Sequence, residues 1–242
     1  MLLPEGDLLH DVYTRGSAAS AAVALTFDDG PNGRCTEAVL DALAETHAPA
    51  TFFLLGANAA DARNDGLLAR MTREGHALGI HSWDHAVRPL FGHDTIVDDL
   101  RAARFAVHAA LDRAGVAAPP ARFYRPPFGF LTETAAQAAE AEGFAIVAWT
   151  VSVGDWRPGR QPQEIVDAIL ARTGPGDVIV LHDGAEAHQR STERCVDRPN
   201  AAAVVRLLVP ALAARGLHPV PLAELLGLPA PAVELTGRAP GH

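Results

Sequence analysis

The sequence predicts an α/β fold: a single domain on a mainly parallel sheet of about seven strands, each followed by a helix. Three observations predict it. Between residues 20 and 228, apolar runs of strand length alternate with segments of helical period, the mark of repeated βαβ units. A glycine recurs at the helix-to-strand junctions: Gly75, Gly115, Gly143 and Gly216. Just past a helix, glycine supplies the left-handed conformation that ends it. Finally, five polar clusters each stand at the end of an apolar run. In parallel α/β sheets, functional groups collect at the carboxyl ends of the strands.

The elements follow in order. Strand-like runs cover residues 22–25, 77–80, 122–124, 144–151 and 178–181. The segment 36–45 places Val39, Leu40 and Leu43 together on one helical face. In 96–111 the residues Ile96, Leu100, Ala103, Val107 and Leu111 share a face. Ala135, Ala136, Ala138 and Ala139 are helix formers, not a low-complexity linker. Asn200 suits the N-cap of a helix carrying Val204, Leu207, Leu208 and Leu212. Pro210 falls inside that pattern and predicts a kink or an early break. Residues 1–20 read as a lead-in strand or arm, 21–228 as one domain without an internal linker, and 229–242, rich in Pro and Ala, as a loose tail.

Composition excludes several classes. The 242 residues, 48% hydrophobic and 20% charged, supply ample core for one large domain. A net charge of −9 argues against a nucleic-acid partner, which calls for a basic stripe. All 20 basic residues are arginine, which excludes Schiff-base catalysis and a phosphate-loop lysine. No apolar run reaches the roughly 18 residues of a transmembrane segment. The first residues lack the basic and apolar regions of a secretory signal. Location stays open: extracytoplasmic if a leader has been removed, otherwise cytoplasmic. Oligomeric state is not legible. Cys35 and Cys195 cannot make a disulfide framework or a four-cysteine zinc site. One bridge between them is conceivable, but their spacing does not call for it, and two idle thiols are expected.

The clusters carry chemistry. His81 and His85 stand four apart just after a strand, and a helical turn there would bring both imidazoles to one side, as a shared metal needs. Zinc would add one carboxylate and keep positions open for water and substrate. Asp28-Asp29 is the natural source of that carboxylate. One can bind metal while the other serves as a base, although the pair also suits a turn before Gly30-Pro31. His182 leaves the apolar strand 178–181 and can donate a proton if a carboxylate, with Asp155 the candidate, holds it charged. Arg125, stiffened by Pro126 and Pro127, suits an ion pair with a carboxylate. Phe128-Gly129 can turn a backbone N–H toward the site, and Trp156 can stack on a sugar or wall a small pocket.

The set Thr26-Phe27-Asp28-Asp29-Gly30-Pro31, His81-Ser82-Trp83-Asp84-His85, Arg125-Pro126-Pro127-Phe128-Gly129, Asp155-Trp156 and Leu181-His182-Asp183, in this order, resembles the polysaccharide deacetylase family, the NodB homology domain of carbohydrate esterase family four. The stretch 50–54 and the ending 217–226 resemble it too. The resemblance implies a distorted (β/α) barrel and removal of N-acetyl groups from amino-sugar polymers such as peptidoglycan or chitin. It implies one divalent ion, usually zinc, with Co2+, Ni2+ or Mn2+ as alternatives, held by Asp29, His81 and His85. Asp28 would be the base, tuned by Arg125. His182 would be the acid, oriented by Asp155. The Phe128 N–H would stabilise the oxyanion, and Trp156 and Leu181 would line the acetyl pocket. An O-acetyl esterase of acetylated xylan would use the same site. An inactive carbohydrate-binding relative would need a broken motif, and none is broken.

Two features depart from the family pattern. The loop 86–94 differs from the short turn expected after the second histidine, and His93 in it is expected to cap the next helix. Aromatic content of 6% favours a short oligosaccharide or a cell-wall fragment over a long polymer.

Overall fold

The computed structural model describes residues 12–87, 91–185, 195 and 198–229. Strand β1 (Val12–Tyr13) leads into β2 (Ala22–Asp28), α1 (Gly33–Thr46), β3 (Thr51–Leu54), α2 (Gly56–Ala59), α3 (Asp65–Arg73) and β4 (Ala77–Ile80). Then come α4 (His93–Arg113), β5 (Phe123–Tyr124), a 3-10 turn (Pro127–Gly129), α5 (Glu133–Ala141), β6 (Ala145–Val147) and α6 (Pro162–Leu170). The chain closes with β7 (Val178–His182), α7 (Ala201–Ala213), β8 (His218–Pro219) and α8 (Leu222–Leu225).

Seven strands lie in the order β1-β6-β5-β4-β3-β2-β7, every pair parallel, with β8 pairing the start of β2. They curl into a half-barrel. The predicted run 144–151 forms two separate contacts. Its first part is β6, between β5 and β1, and four residues further on Val151 bridges Ile179 of β7. That bridge draws the two flanks of the half-barrel together.

Strand residues alternate in direction, and the alternation sorts the core. Val23, Leu25 and Phe27 of β2 pack with Phe52, Leu54, Ile80, Tyr124, Ile146, Ile179 and Leu181 in the large core under the helices. Ala22 and Ala24 join Phe53, Phe123, Val147 and Val178 in a second core on the opposite, inner face of the sheet. At the carboxyl ends, the inward parity is therefore that of Thr26, Asp28, His81, Arg125, Val180 and His182. This single rule assembles most of the site.

The glycine signal holds at each junction. Gly75, Gly115, Gly143 and Gly216 have φ of 82°, 65°, 77° and 72°. The residue after each donates its N–H to the carbonyl five positions back: His76 to Met71, Val116 to Leu111, Phe144 to Ala139 and Leu217 to Leu212. These are Schellman ends, which satisfy carbonyls the helix leaves open. The buried face of α4 is the predicted one.

Four expectations need correction. Cys35 and Cys195, 160 residues apart, form a disulfide instead of idle thiols. Their spacing hid it because only the tertiary fold brings α1 to the segment before α7. Helix α7 runs through Pro210 without a break. Both Pro210 and Arg206, whose carbonyl loses its usual donor to the proline, are on the exposed side of the helix. Leu207 is on the solvent side, 42% exposed. Asn200 does stand at the N-cap but makes no side-chain cap bond. Its Nδ2 donates instead to the Arg160 carbonyl at 2.6 Å. Residues 12–13 are the lead-in strand. The remaining tail beyond 229 and the first residues, where a signal was sought, lie outside the described residues. No helix among the described residues is long and apolar enough to cross a membrane.

Candidate active site

Adjacent strands β2 and β7 place Asp28 directly beside His182 in register. A cavity of about 340 Å³ opens there, lined by Asp28, Asp29, His81, His85, Phe128, Trp156 and His182 of the predicted residues. Arg125 lies beneath it and Asp155 behind His182. A larger cavity of about 570 Å³ sits at the other end of the strands, beside His76, Ala77, Phe123 and Ala145, and none of the predicted site residues line it.

Asp28 is 2% exposed and meets the guanidinium of Arg125, itself fully buried, at 2.6 Å. Arg125 also donates to Thr26 Oγ1 at 2.9 Å and to the carbonyls of Val147 and Ala148, and it lies 3.9 Å from the Phe53 ring centroid. Each of these contacts restricts its direction. Burial, the largest single cause, opposes ionisation of Asp28, but Arg125, His81 and His182 together outweigh it and hold the carboxyl below the usual range.

Asp29, the next residue, points elsewhere because its φ is 72°. Its Oδ1 lies 3.6 Å from His81 Nε2 and 3.7 Å from His85 Nε2. That oxygen is buried without a hydrogen-bond partner among the described residues. The three side chains each offer an atom within 4.8 Å of the others. Burial pushes the Asp29 carboxyl up, against the pull of His182 and His85. An orphaned carboxylate oxygen facing two imidazole nitrogens is a donor set that fits a divalent ion of the zinc type.

The histidines reach one side by a different route from the helical turn expected. Residues 81–85 form a bent loop in which Ser82 and His85 have φ of 78° and 67°. Ser82 Oγ accepts the His85 N–H at 2.9 Å, and Asp99 Oδ2 from α4 accepts the Trp83 N–H at 3.0 Å. His81 Nδ1 lies 2.7 Å from the Arg125 carbonyl. A carbonyl only accepts, so Nδ1 carries the proton and Nε2 keeps its lone pair for the site. Among the described residues, the non-glycine positions with positive φ are Asp29, His47, Ser82, His85 and Phe128. Three of them, Asp29, His85 and Phe128, line the cavity, and Ser82 lies between the two histidines, where such backbone strain concentrates.

His182 is held twice by Asp155: Nδ1 lies 3.0 Å from Oδ1, and the backbone N–H donates to Oδ2 at 2.9 Å. Burial would lower the imidazole pKa, but the pairing with Asp155, helped by Asp29 and Asp28, pushes it up to about 9. Trp156 meets His182 edge to face at 4.8 Å, and Phe128 meets His85 at 4.2 Å. Both rings are about half exposed at the rim, 43% and 56%.

Leu181 does not line this cavity. It lines a neighbouring one of about 180 Å³ together with Asp155, Trp156 and His182, and with Ile165 and Val204 from the helices. Strand alternation puts Val180, two before His182, on the wall of the cavity that holds Asp28 and His182. Trp149, Ser152 and Arg198 also line it and were missed. Val180 was recoverable from period two. Ser152 and Arg198 sit on loops, with no local signal. His93 is the first residue of α4, exposed and beside Asp94; the cap position itself is Gly92, and His93 does not line the cavity. Residues 88–90 of that loop lie outside the described residues.

At the strand ends of this parallel half-barrel stand a buried carboxylate paired with arginine, an imidazole paired with a carboxylate, and Asp29, His81 and His85, each offering a ligand atom. The chain belongs to the polysaccharide deacetylase family, which it matches over residues 15–147. It is 36% identical over 212 residues to a chitooligosaccharide deacetylase of a Bradyrhizobium species, covering 84% of this chain and 91% of the relative. The crystal structure of the Bc1960 peptidoglycan N-acetylglucosamine deacetylase superposes with a TM-score of 0.78 at 28% identity, covering 91% of this chain and 95% of that one. A family 4 acetyl xylan esterase from Clostridium thermocellum, in complex with a cobalt ion, has a TM-score of 0.69 at 27% identity, covering 86% and 93%.

Proposed function

We propose that this chain is a metal-dependent hydrolase that removes N-acetyl groups from chitin-like or peptidoglycan amino-sugar chains and releases acetate. The observation that carries the reading is the meeting, in one cavity, of a carboxylate held ionised, an imidazole held protonated and an Asp-His-His donor set. The relatives' named substrates support the sugar class.

Asp29, His81 and His85 would hold the divalent ion, zinc by the chemistry of the donors. Such an ion supplies Lewis acidity, which makes water a stronger acid and polarises the acetamide carbonyl. Asp28, kept ionised by Arg125, takes the proton of the attacking water. The Phe128 N–H donates to the developing oxyanion, a contribution of about 3 kcal/mol per donor. His182, kept protonated by Asp155, gives its proton to the departing nitrogen, an amine being a poor leaving group without one. Trp156 and Val180, in place of Leu181, wall the space for the acetyl methyl. The disulfide Cys35–Cys195 supports work in an oxidising, extracytoplasmic compartment.

Acetate release from acetylated chitooligosaccharides, peptidoglycan and acetylated xylan tests the reading. Turnover of the first two is expected to dominate. Release from xylan alone would replace it with an O-acetyl esterase, and release from none would overturn it.

A further inference from the structure

The two oxygens of Asp29 face different partners. Oδ1 is directed at His81 and His85, at 3.6 and 3.7 Å. Oδ2 lies 3.8 Å from Nη2 of Arg198. A carboxylate that holds an ion through one oxygen is free to rotate unless something restrains the other, and outer partners of ligating groups do this commonly. Arg198 comes from the far end of the chain, on the loop that enters α7, and its side chain is 16% exposed on the cavity wall.

The covalent path between these residues is short. Cys35, six positions after Asp29, is buried in the first turns of α1. Its disulfide partner, Cys195, is three positions before Arg198. The bridge therefore fastens the loop that carries Arg198 to the helix that starts just beyond Asp29. Asn58 adds a second fastening on the same side: its Nδ2 donates to the carbonyls of Asp29 at 2.7 Å and Ala185 at 3.1 Å.

We propose that Arg198 is a positioning residue that keeps Oδ1 of Asp29 turned toward His81 and His85, and that the Cys35–Cys195 bridge holds Arg198 in place for this. The proposal rests on the reading that Asp29, His81 and His85 bind a divalent ion. An ion pair at this distance works through charge and direction, without a two-pronged hydrogen bond. A lysine in its place therefore keeps part of the effect, and an alanine keeps none.

The test is zinc affinity of the metal-stripped full-length protein, measured by competition with a chromophoric chelator, with far-ultraviolet circular dichroism to confirm folding. Arg198→Ala is expected to weaken zinc binding roughly 10- to 100-fold, and Arg198→Lys to recover much of that. The double variant Cys35→Ala, Cys195→Ala is expected to weaken zinc binding in the same direction. Adding Arg198→Ala to it is expected to cost little more, because residues that act as one unit are not additive. Unchanged or tighter binding in Arg198→Ala overturns the role of Arg198. Losses that multiply independently overturn its dependence on the bridge. Wild-type protein that binds no zinc overturns the underlying metal assignment and this proposal with it. Wild-type binding with an unaffected Arg198→Ala overturns this proposal alone.

Discussion

The backbone carbonyl of Arg125 lies 2.7 Å from Nδ1 of His81, while the guanidinium of the same arginine lies 2.6 Å from Asp28. One buried residue thus orients a donor of the Asp29-His81-His85 set and holds the neighbouring carboxylate ionised. Arg125→Ala is expected to leave Asp28 buried without its partner, at a cost of about 3–5 kcal/mol. Urea unfolding should show the fall in midpoint, and deacetylation should be lost even where the variant stays folded. A variant of wild-type stability would mean that Asp28 is solvated in solution.

His81→Ala is expected to lose metal and activity together, because it removes one of three donors and leaves Asp29 with a single imidazole. Elemental analysis of the purified variant decides this. Full metal content would sink the assignment.

Asp28→Asn keeps the size and hydrogen-bonding of the side chain beside Arg125 but cannot accept a proton. It is expected to retain metal and to lose turnover by about 10²–10⁴-fold, the usual contribution of a positioned base. Activity near wild type would reduce Asp28 to a structural partner of Arg125.

His182 is expected to titrate near 9 in the metal-free protein, because Asp155 overcomes the effect of burial. The protonated form therefore persists through neutral pH and is lost as pH rises through that value. Imidazole NMR across pH 6–10 measures it directly. Asp155→Asn should move the titration, and the alkaline limb of the activity profile, downward. An unmoved limb would remove Asp155 from the role of partner.

His182→Ala is expected to harm amide substrates far more than an activated aryl acetate, whose leaving group departs without a proton. Comparing kcat/KM on both substrates reads the difference. Equal losses would mark His182 as structural.

Local features of the sequence located five of the strand-forming runs, the buried faces of several helices and the glycine ends of four of them. These follow from periods of two and 3.6 residues and from backbone conformations open mainly to glycine, all set within a few positions of the chain. Asp28, Asp29, His81, Arg125 and His182 were legible for the same reason. Asp28, His81, Arg125 and His182 each end or follow a strand whose apolar pattern points them inward, whereas Asp29, of the opposite parity, reaches the site through its positive φ. Val180 was legible in principle by the same alternation as the residue of β7 that, with His182, lines the cavity.

Tertiary structure decided what depends on groups distant in sequence. It brought Cys35 to Cys195 across 160 residues and set Arg198 beside Asp29. It also turned 81–85 into a strained loop held by Asp99, where a helical turn was expected. It let α7 pass through Pro210 on the exposed side of the helix. Propensity and period describe a residue's immediate neighbours. Loop conformations, cross-chain pairings and the surroundings of a helix turn depend on closing the barrel, whose free energy is summed over contacts that no short stretch of sequence contains.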